Sequence, residues 1–315
     1  MSFNIPVNFV EGFKETIYML SQQKTARYFG KSRLESQSSE VDNYERIEPT
    51  EANDILDRHG DTPLNNSIHS RRQVTLQDAD WGDLIDKKDD IRLLIDPTNS
   101  YTMNAAAALN RKKDDVFIAA ALGIARAGKK GAQTVVLPDS QKIVSVDPST
   151  GTSGRINISV LTQVQAKFDE ADVDEDVMRY FGWSGRVKQQ MLNDTKATSA
   201  DFASVKALVD GRIDEFMGFK FIRSERLPIT DAVTNYASNT GQVASGGANS
   251  LAAGARRCFA WVEDGMISSI GEELFVDVGI RRDKRLSKQV YLCQSVGAVR
   301  LDEDKVVEIL VDESL

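Results

Sequence analysis

The chain has 315 residues, 41% of them apolar, which marks a globular protein large enough for one elaborated domain or two lobes. A formal net charge of -8 argues against a protein that wraps nucleic acid tightly, because that work needs a basic footprint to displace counterions. The two cysteines, Cys258 and Cys293, fit neither a disulfide framework nor a zinc cluster and suit a reducing cytoplasm, while the absence of a signal-like start or a run of 18 apolar residues predicts neither secretion nor membrane insertion.

In chain order, Phe9, Phe13, Ile17, Leu20 and Lys24 recur near helical spacing and predict a short amphipathic helix over 9–29. Residues 32–90 then scatter apolar side chains among Ser, Asn, Asp and Glu, with strand-like alternation only at 44–47 and 72–76. So much uncored chain is unusual in a compact domain. It reads either as disorder or as an extended arm and hairpin that gain burial from neighbouring subunits.

Residues 98–128 change character, with an alanine-rich run that closes in glycine and predicts one long helix. Leu109, Val116, Phe117, Ala120 and Ile124 fall on a common stripe, with Arg111, Lys112 and Asp115 on other sides. Beyond it, the pattern predicts a strand at 134–137, a helix at 158–171 aligned on Leu161, Val164, Phe168 and Ala171, and an extended segment at 178–183. Short helices follow at 184–193 and 201–209. Residues 237–254 are small and polar enough for a flexible loop, and 259–269 reads as a helix. Three alternating stretches, 274–282, 288–301 and 305–312, close the chain as strands. The class is α+β, since no βαβ alternation suggests a doubly wound sheet.

Patterns with chemical meaning all favour plain structure. Gly123 to Lys130 nearly matches a phosphate-binding loop, but Lys130 stands where a magnesium-binding hydroxyl belongs and the glycines end a helix instead of opening one. They read as a helix C-cap. Asp172, Asp174 and Asp176 begin like a calcium loop, yet Val177 and Trp183 occupy the glycine and glutamate positions, leaving a solvated acidic turn. His59 and His69 have no nucleophile or metal cluster in sequence beside them. No catalytic residue, cofactor or metal site is expected, and an enzyme remains possible only through a site that motifs do not reveal.

The order of arm, long hairpin, long helix and α/β lobe ending in strands resembles the Hong Kong 97-type major capsid proteins of tailed phages. Gly211, Gly218, Phe219, Ser224, Leu227 and Pro228 within 208–228 match a recurrent family pattern. The segment 258–271 resembles the family's closing helix, and 289–309, with Gly297, Ala298, Arg300, Val306 and Val307, its paired strands and Gly-Ala-x-Arg segment. The resemblance implies an N-terminal arm over 1–35, without core partners in its own chain, and an extended loop over 36–92. It also implies peripheral and axial domains over 93–315, with a spine helix at about 98–128. Residues 237–254 are then either an axial-domain loop or an ordinary surface loop.

The implied function is self-assembly into pentamers and hexamers of an icosahedral shell around double-stranded DNA, formed in the host bacterial cytoplasm and found in the virion. Its implied partners are the chain itself, DNA by weak non-specific contact, and scaffolding, portal and possible decoration proteins. An encapsulin-like nanocompartment is the near alternative. The acidic strip 40–61, including Glu45, Glu48, Asp54 and Asp57, calls for basic partners on a neighbour. Arg71, Arg72 and the run Arg281, Arg282, Lys284 and Arg285 are candidate inter-subunit residues, and that run could instead touch DNA or be solvated.

Overall fold

The computed structural model describes residues 21–54, 64–86, 98–145, 154–193, 215–229 and 255–313. These hold strands β1 (Arg33–Ser36), β2 (Val41–Ile47), β3 (His69–Thr75), β4 (Gln77–Ile85), β5 (Ala125–Ala127), β6 (Gln133–Val135) and β7 (Lys142–Val144). They continue with β8 (Arg179–Trp183), β9 (Glu215–Phe216), β10 (Phe219–Arg223), β11 (Arg256–Val262), β12 (Met266–Arg281), β13 (Ser287–Arg300) and β14 (Val306–Val311). The α-helices among the described residues are α1 (Thr98–Leu122), α2 (Ile158–Glu170) and α3 (Gly185–Leu192). Mixed sheets and helices in this arrangement are α+β. The chain divides into two compact units, one built from Met1–Ala26, Asp78–Lys112 and Glu272–Ser295, the other from Arg27–Gln77, Lys113–Gly271 and Val296–Leu315.

The first unit packs one face of α1 on sheet strands. Ala105 and Leu109 sit on successive helical turns and meet Ile85 of β4 with Val290 and Leu292 of β13, the two β13 positions being two apart and so on one face. Gln294 seals the contact by donating to the Leu109 carbonyl at 2.8 Å. Residues before Ala26 run beside the same helix: Gln22 donates to Asn104 at 3.0 Å, and Arg111 donates to Gln22 at 2.7 Å and to the Gln23 carbonyl at 3.1 Å.

The second unit centres on a six-stranded sheet in the order β7-β14-β11-β8-β10-β9. Every residue of β14 and β8 is buried, as expected of strands covered on both faces. Asn157 and Ser184 cap α2 and α3 by accepting from the amides of Val160 and Val187. Met217 and Gly218, with φ of 52° and 77°, close the β9–β10 hairpin as a two-residue turn that needs positive φ at both positions. A second sheet, β2-β3-β5-β6, pairs β2 and β3 in register from Val41↔Thr75 to Ile47↔His69.

Several expectations change. The helix over 9–29 falls partly outside the described residues, and 21–29 is not helical. The helix predicted at 98–128 ends at Leu122, because Arg300 binds the carbonyls of Ala121 (2.8 Å) and Gly123 (3.1 Å), and residues 125–127 join β3 as β5. Ile124 therefore leaves the apolar stripe and is exposed. Residues 259–269 are not a helix but β11, a single 3-10 turn at Glu263–Gly265, and the start of β12. Cys258 to Val262 are buried on both faces of a central strand, so no alternation marked them as extended. The segments 201–209 and 237–254, with Gly211, His59 and Asp57, lie outside the described residues.

Candidate interaction surfaces

The base of the N-terminal segment is moored in its own chain. Asp114, fully buried on α1, accepts from the backbone amides of Arg27 (2.9 Å), Tyr28 (2.9 Å) and Phe29 (3.4 Å). Three amides turned on one carboxylate repay much of the cost of burying its charge. Tyr28, with no exposed surface, lies between Phe117, Phe259 and Trp261 at ring-centroid distances of 6.3, 5.6 and 5.6 Å. Burial pushes its phenol far above the ordinary tyrosine value. Trp261 then donates to the Lys31 carbonyl at 2.8 Å, and β1 pairs in parallel with β12 from Arg33↔Ile267 to Ser36↔Ile270. The expectation that residues 1–35 have no core partners in their own chain fails from Arg27 onward. Asp114 was missed because a mid-helix aspartate in the run Lys112-Lys113-Asp114-Asp115 carries no signal of which acid turns inward.

The β2–β3 hairpin carries much of the acidic strip. Glu45 pairs with Arg71 across the hairpin, one position of the ladder where opposite charges face each other. Glu48 and Asp54 are exposed. Arg72 points the other way: buried, it donates to Glu303 at 2.7 Å, and Arg46 reaches the same carboxylate oxygen at 3.2 Å. Arg72 thus has its ion-pair partner within its own chain. Arg300, also fully buried, stands 3.6 Å from Glu303, and burial pulls its guanidinium below the ordinary arginine value against the opposing pull of that carboxylate. Val74 packs with Ala125, Ile267 and Val299 beneath the hairpin, and the Cβ that any side chain at Gly297 would add meets Val74 at 2.7 Å and the Thr75 carbonyl at 3.0 Å. The base of the proposed extended loop is therefore cored, which the scattered pattern at 32–90 did not reveal.

The basic run sits at the turn between β12 and β13. Arg281 binds Asp283 through both guanidinium edges, at 2.8 and 2.7 Å, and Gln289 at 2.9 Å. That hydrogen bonding holds the exposed Asp283 carboxyl at about 2. Arg282, Lys284 and Arg285 are exposed. The distal half of β12 concentrates exposed apolar side chains: Leu274, Phe275, Val276, Val278 and Ile280 are 39%, 49%, 43%, 46% and 64% exposed. Leu274, Val276, Val278 and Ile280 alternate along the strand and so share one face, the kind of apolar patch that marks an interaction surface.

Among the described residues no group of His, Cys, Asp and Glu is placed to hold a metal ion, and no helix is long and apolar enough to cross a membrane. His69 opens β3 on the exposed side, and Asp172, Asp174 and Asp176 lie in an exposed turn region without strand or helix.

A family model described as phage capsid protein matches residues 5–313. The chain belongs to the phage capsid protein family. Solved phage capsids share its fold. The capsid of cyanophage P-SCSP1u matches with TM-score 0.71 at 15% identity, over 98% of this chain and 94% of that one. The head of Helicobacter pylori bacteriophage KHP40 matches with TM-score 0.71 at 9% identity over 100% of both chains, and the capsid of cyanophage Pam1 with TM-score 0.67 at 14% identity over 99% of both. Among curated proteins no sequence matches. This capsid protein is a structural major capsid subunit of a virion shell and not an enzyme; its work is to assemble with copies of itself.

Proposed function

We propose that this phage capsid protein builds the pentamers and hexamers of an icosahedral shell of the Hong Kong 97 type around double-stranded DNA. The observation that carries the reading is the match of a phage capsid fold over 98% or more of the chain together with the element order: the paired strands β2 and β3, a 25-residue helix and mixed sheets. In this reading α1 is the spine helix, residues 1–35 and 36–92 are arm and extended loop, and 237–254 is an axial loop. The segment before Arg27 and the outer part of the loop lie over neighbouring subunits, which bury apolar side chains that one copy leaves exposed. Of the acidic hairpin residues, Glu45 pairs with Arg71 of its own chain, and Glu48, Asp54 and Asp57 face basic groups of a neighbour, with Lys284 and Arg285 as the candidates. A net charge of -8 suits weak, sliding contact with packaged DNA better than tight binding. Scaffolding, portal and decoration proteins are the further partners, and assembly takes place in the bacterial cytoplasm.

No lysine occurs from Ser32 to Asp86, and Lys31, Lys87 and Lys88 stand only at the base of the loop, so its outer part lacks the amine that a covalent lysine–asparagine cross-link to a distant neighbour requires. The shell is held by burial, hydrogen bonds and ion pairs. Electron microscopy of particles from cells expressing the chain should show closed shells with nuclease-protected DNA when packaging is supplied; small oligomers alone would overturn the reading. Boiling those particles in detergent should release a single 34.8 kDa band. A ladder of resistant multimers would show the covalent fastening that the missing lysines argue against.

A further inference from the structure

Among the described residues, the distal half of β12 is a sheet edge without a partner strand. Within its sheet β12 lies between β1 and β13, and β1 reaches only from Ile267 to Ile270. From Glu272 onward, among the described residues, no strand pairs on that side. Ile270 turns its carbonyl to this edge, where it accepts from the Gln37 amide at 2.9 Å. Alternation along the unbroken strand turns the amides and carbonyls of Glu272, Leu274, Val276, Val278 and Ile280 the same way. Natural edges are normally blunted by lysine, proline or a bulge. Residues 272–280 contain no lysine or proline, and five of the nine are exposed large apolar side chains.

The sequence of this edge is complementary to itself when reversed. Laid antiparallel about Asp277, Glu272 faces Arg282, Glu273 faces Arg281, Leu274 faces Ile280, Phe275 faces Gly279 and Val276 faces Val278. Both acid–base pairs are opposite in sign, the aliphatic pairs match, and the aromatic ring covers the glycine, whose Cβ position is open apart from the Asp277 carboxylate 3.7 Å away. The hydrogen-bonding parity agrees as well: Leu274, Val276, Val278 and Ile280, which turn their backbone groups outward, oppose one another, giving about eight inter-strand hydrogen bonds. One pair is unfavourable. Asp277 meets its own copy at the axis.

We propose that the β12 edge is covered by the same edge of a second copy of this chain, the two strands pairing antiparallel about a two-fold axis at Asp277. The proposal rests on the reading of the chain as a shell subunit and names one contact through which the shell closes. A two-fold contact uses the same patch on both copies, so a self-complementary strand is what such an axis requires. Arg281 exchanges part of its hold on Asp283 for Glu273 of the second copy. The like charges at the axis keep the contact weak and reversible until other contacts add to it.

The test is position-specific disulfide trapping. At the axis the two Asp277 residues form a non-hydrogen-bonded pair with Cα atoms about 4.5 Å apart, within disulfide reach. Asp277→Cys in a Cys293→Ser background, mildly oxidised, should give a dimer of about twice the monomer mass on a non-reducing gel. Gly279→Cys should remain monomeric, since its two copies are about 13 Å apart along the strands, and Phe275→Cys with Gly279→Cys together should regain the dimer. All three positions are exposed or half-exposed, so folding is retained. Asp277→Asn should lower the concentration needed for assembly about two- to fivefold by removing the like-charge pair. The proposal is overturned if Asp277→Cys stays monomeric, or if Gly279→Cys alone cross-links as well. The gel reads the contact whether or not particles form, and failure of the wild-type chain to make any shell would count separately against the shell reading.

Discussion

Two strands of nearly the same composition have opposite fates in this molecule. β14, VVEILV, lies between β7 and β11 with all six residues buried, and its one acid, Glu308, is held by Arg257. The distal half of β12, LFVDVGI, has among the described residues a neighbouring strand on one side only and leaves both its aliphatic side chains and its acid, Asp277, exposed. Apolar composition alone does not place a strand in a core. What differs is the pairing on each edge, and a buried acid shows a satisfied strand where an exposed acid among aliphatics shows an unfinished one.

The largest effect should come from breaking the finished region. Phe117→Asp puts a charge among Tyr28, Phe259 and Trp261 at a site with no exposed surface. It should cost about 4 kcal/mol or more and leave the protein insoluble; a soluble variant with wild-type thermal unfolding would contradict the packing described. Next, Asp114→Ala should cost about 2–4 kcal/mol, because the amides of Arg27, Tyr28 and Phe29 lose their shared acceptor. Limited proteolysis should then cut first near residues 21–37, and protection equal to wild type there would disprove the mooring.

Acid should act on the sheet's far end. Although burial raises the Glu313 pKa, hydrogen bonds from Arg256 (2.9 Å) and Ser184 outweigh it and hold the carboxyl below the usual value of 4.5. A lowered folded-state value contributes stability that is complete above the unfolded value and lost as pH falls through the folded one. Wild type should therefore lose stability more steeply than Glu313→Gln as the pH falls below the usual carboxylate range and through the lowered folded-state value; parallel denaturant profiles would count against it. The smallest effect on the folded chain belongs to the unfinished strand. Val278→Lys, at a position 46% exposed, should change chain stability by no more than about 0.5 kcal/mol while reducing assembly at least tenfold.

Much of this was legible in the sequence, and the failures are physical. Of the closing strands β13 was visible because its burial alternates with period two, while β14 and the distal half of β12 were visible through their β-branched and aliphatic composition, and α2 because Leu161, Val164 and Phe168 follow helical spacing. β11 was hidden because burial on both faces removes the alternation and, unlike β14, its sequence RRCFAWV is not rich in β-branched residues. Residues 125–127 read as helix from local propensity, and pairing with Arg72 and Gln73 overrode it. The acidic hairpin and basic turn were legible as charge, but not that Arg72 is spent on Glu303, since residues 231 apart in sequence meet only in the fold. The β12 edge read correctly as a strand; its missing neighbour did not show.

Hydrogen exchange on assembled and dissociated protein tests the central claim most directly. In the dissociated chain the outward amides of β12 from Glu272 to Ile280 should exchange fast while those of β14 stay protected, and assembly should slow the β12 amides at least a hundredfold and leave β14 unchanged. Equal, fast exchange of residues 272–280 in both states would show that the edge stays open in the shell and would contradict the account.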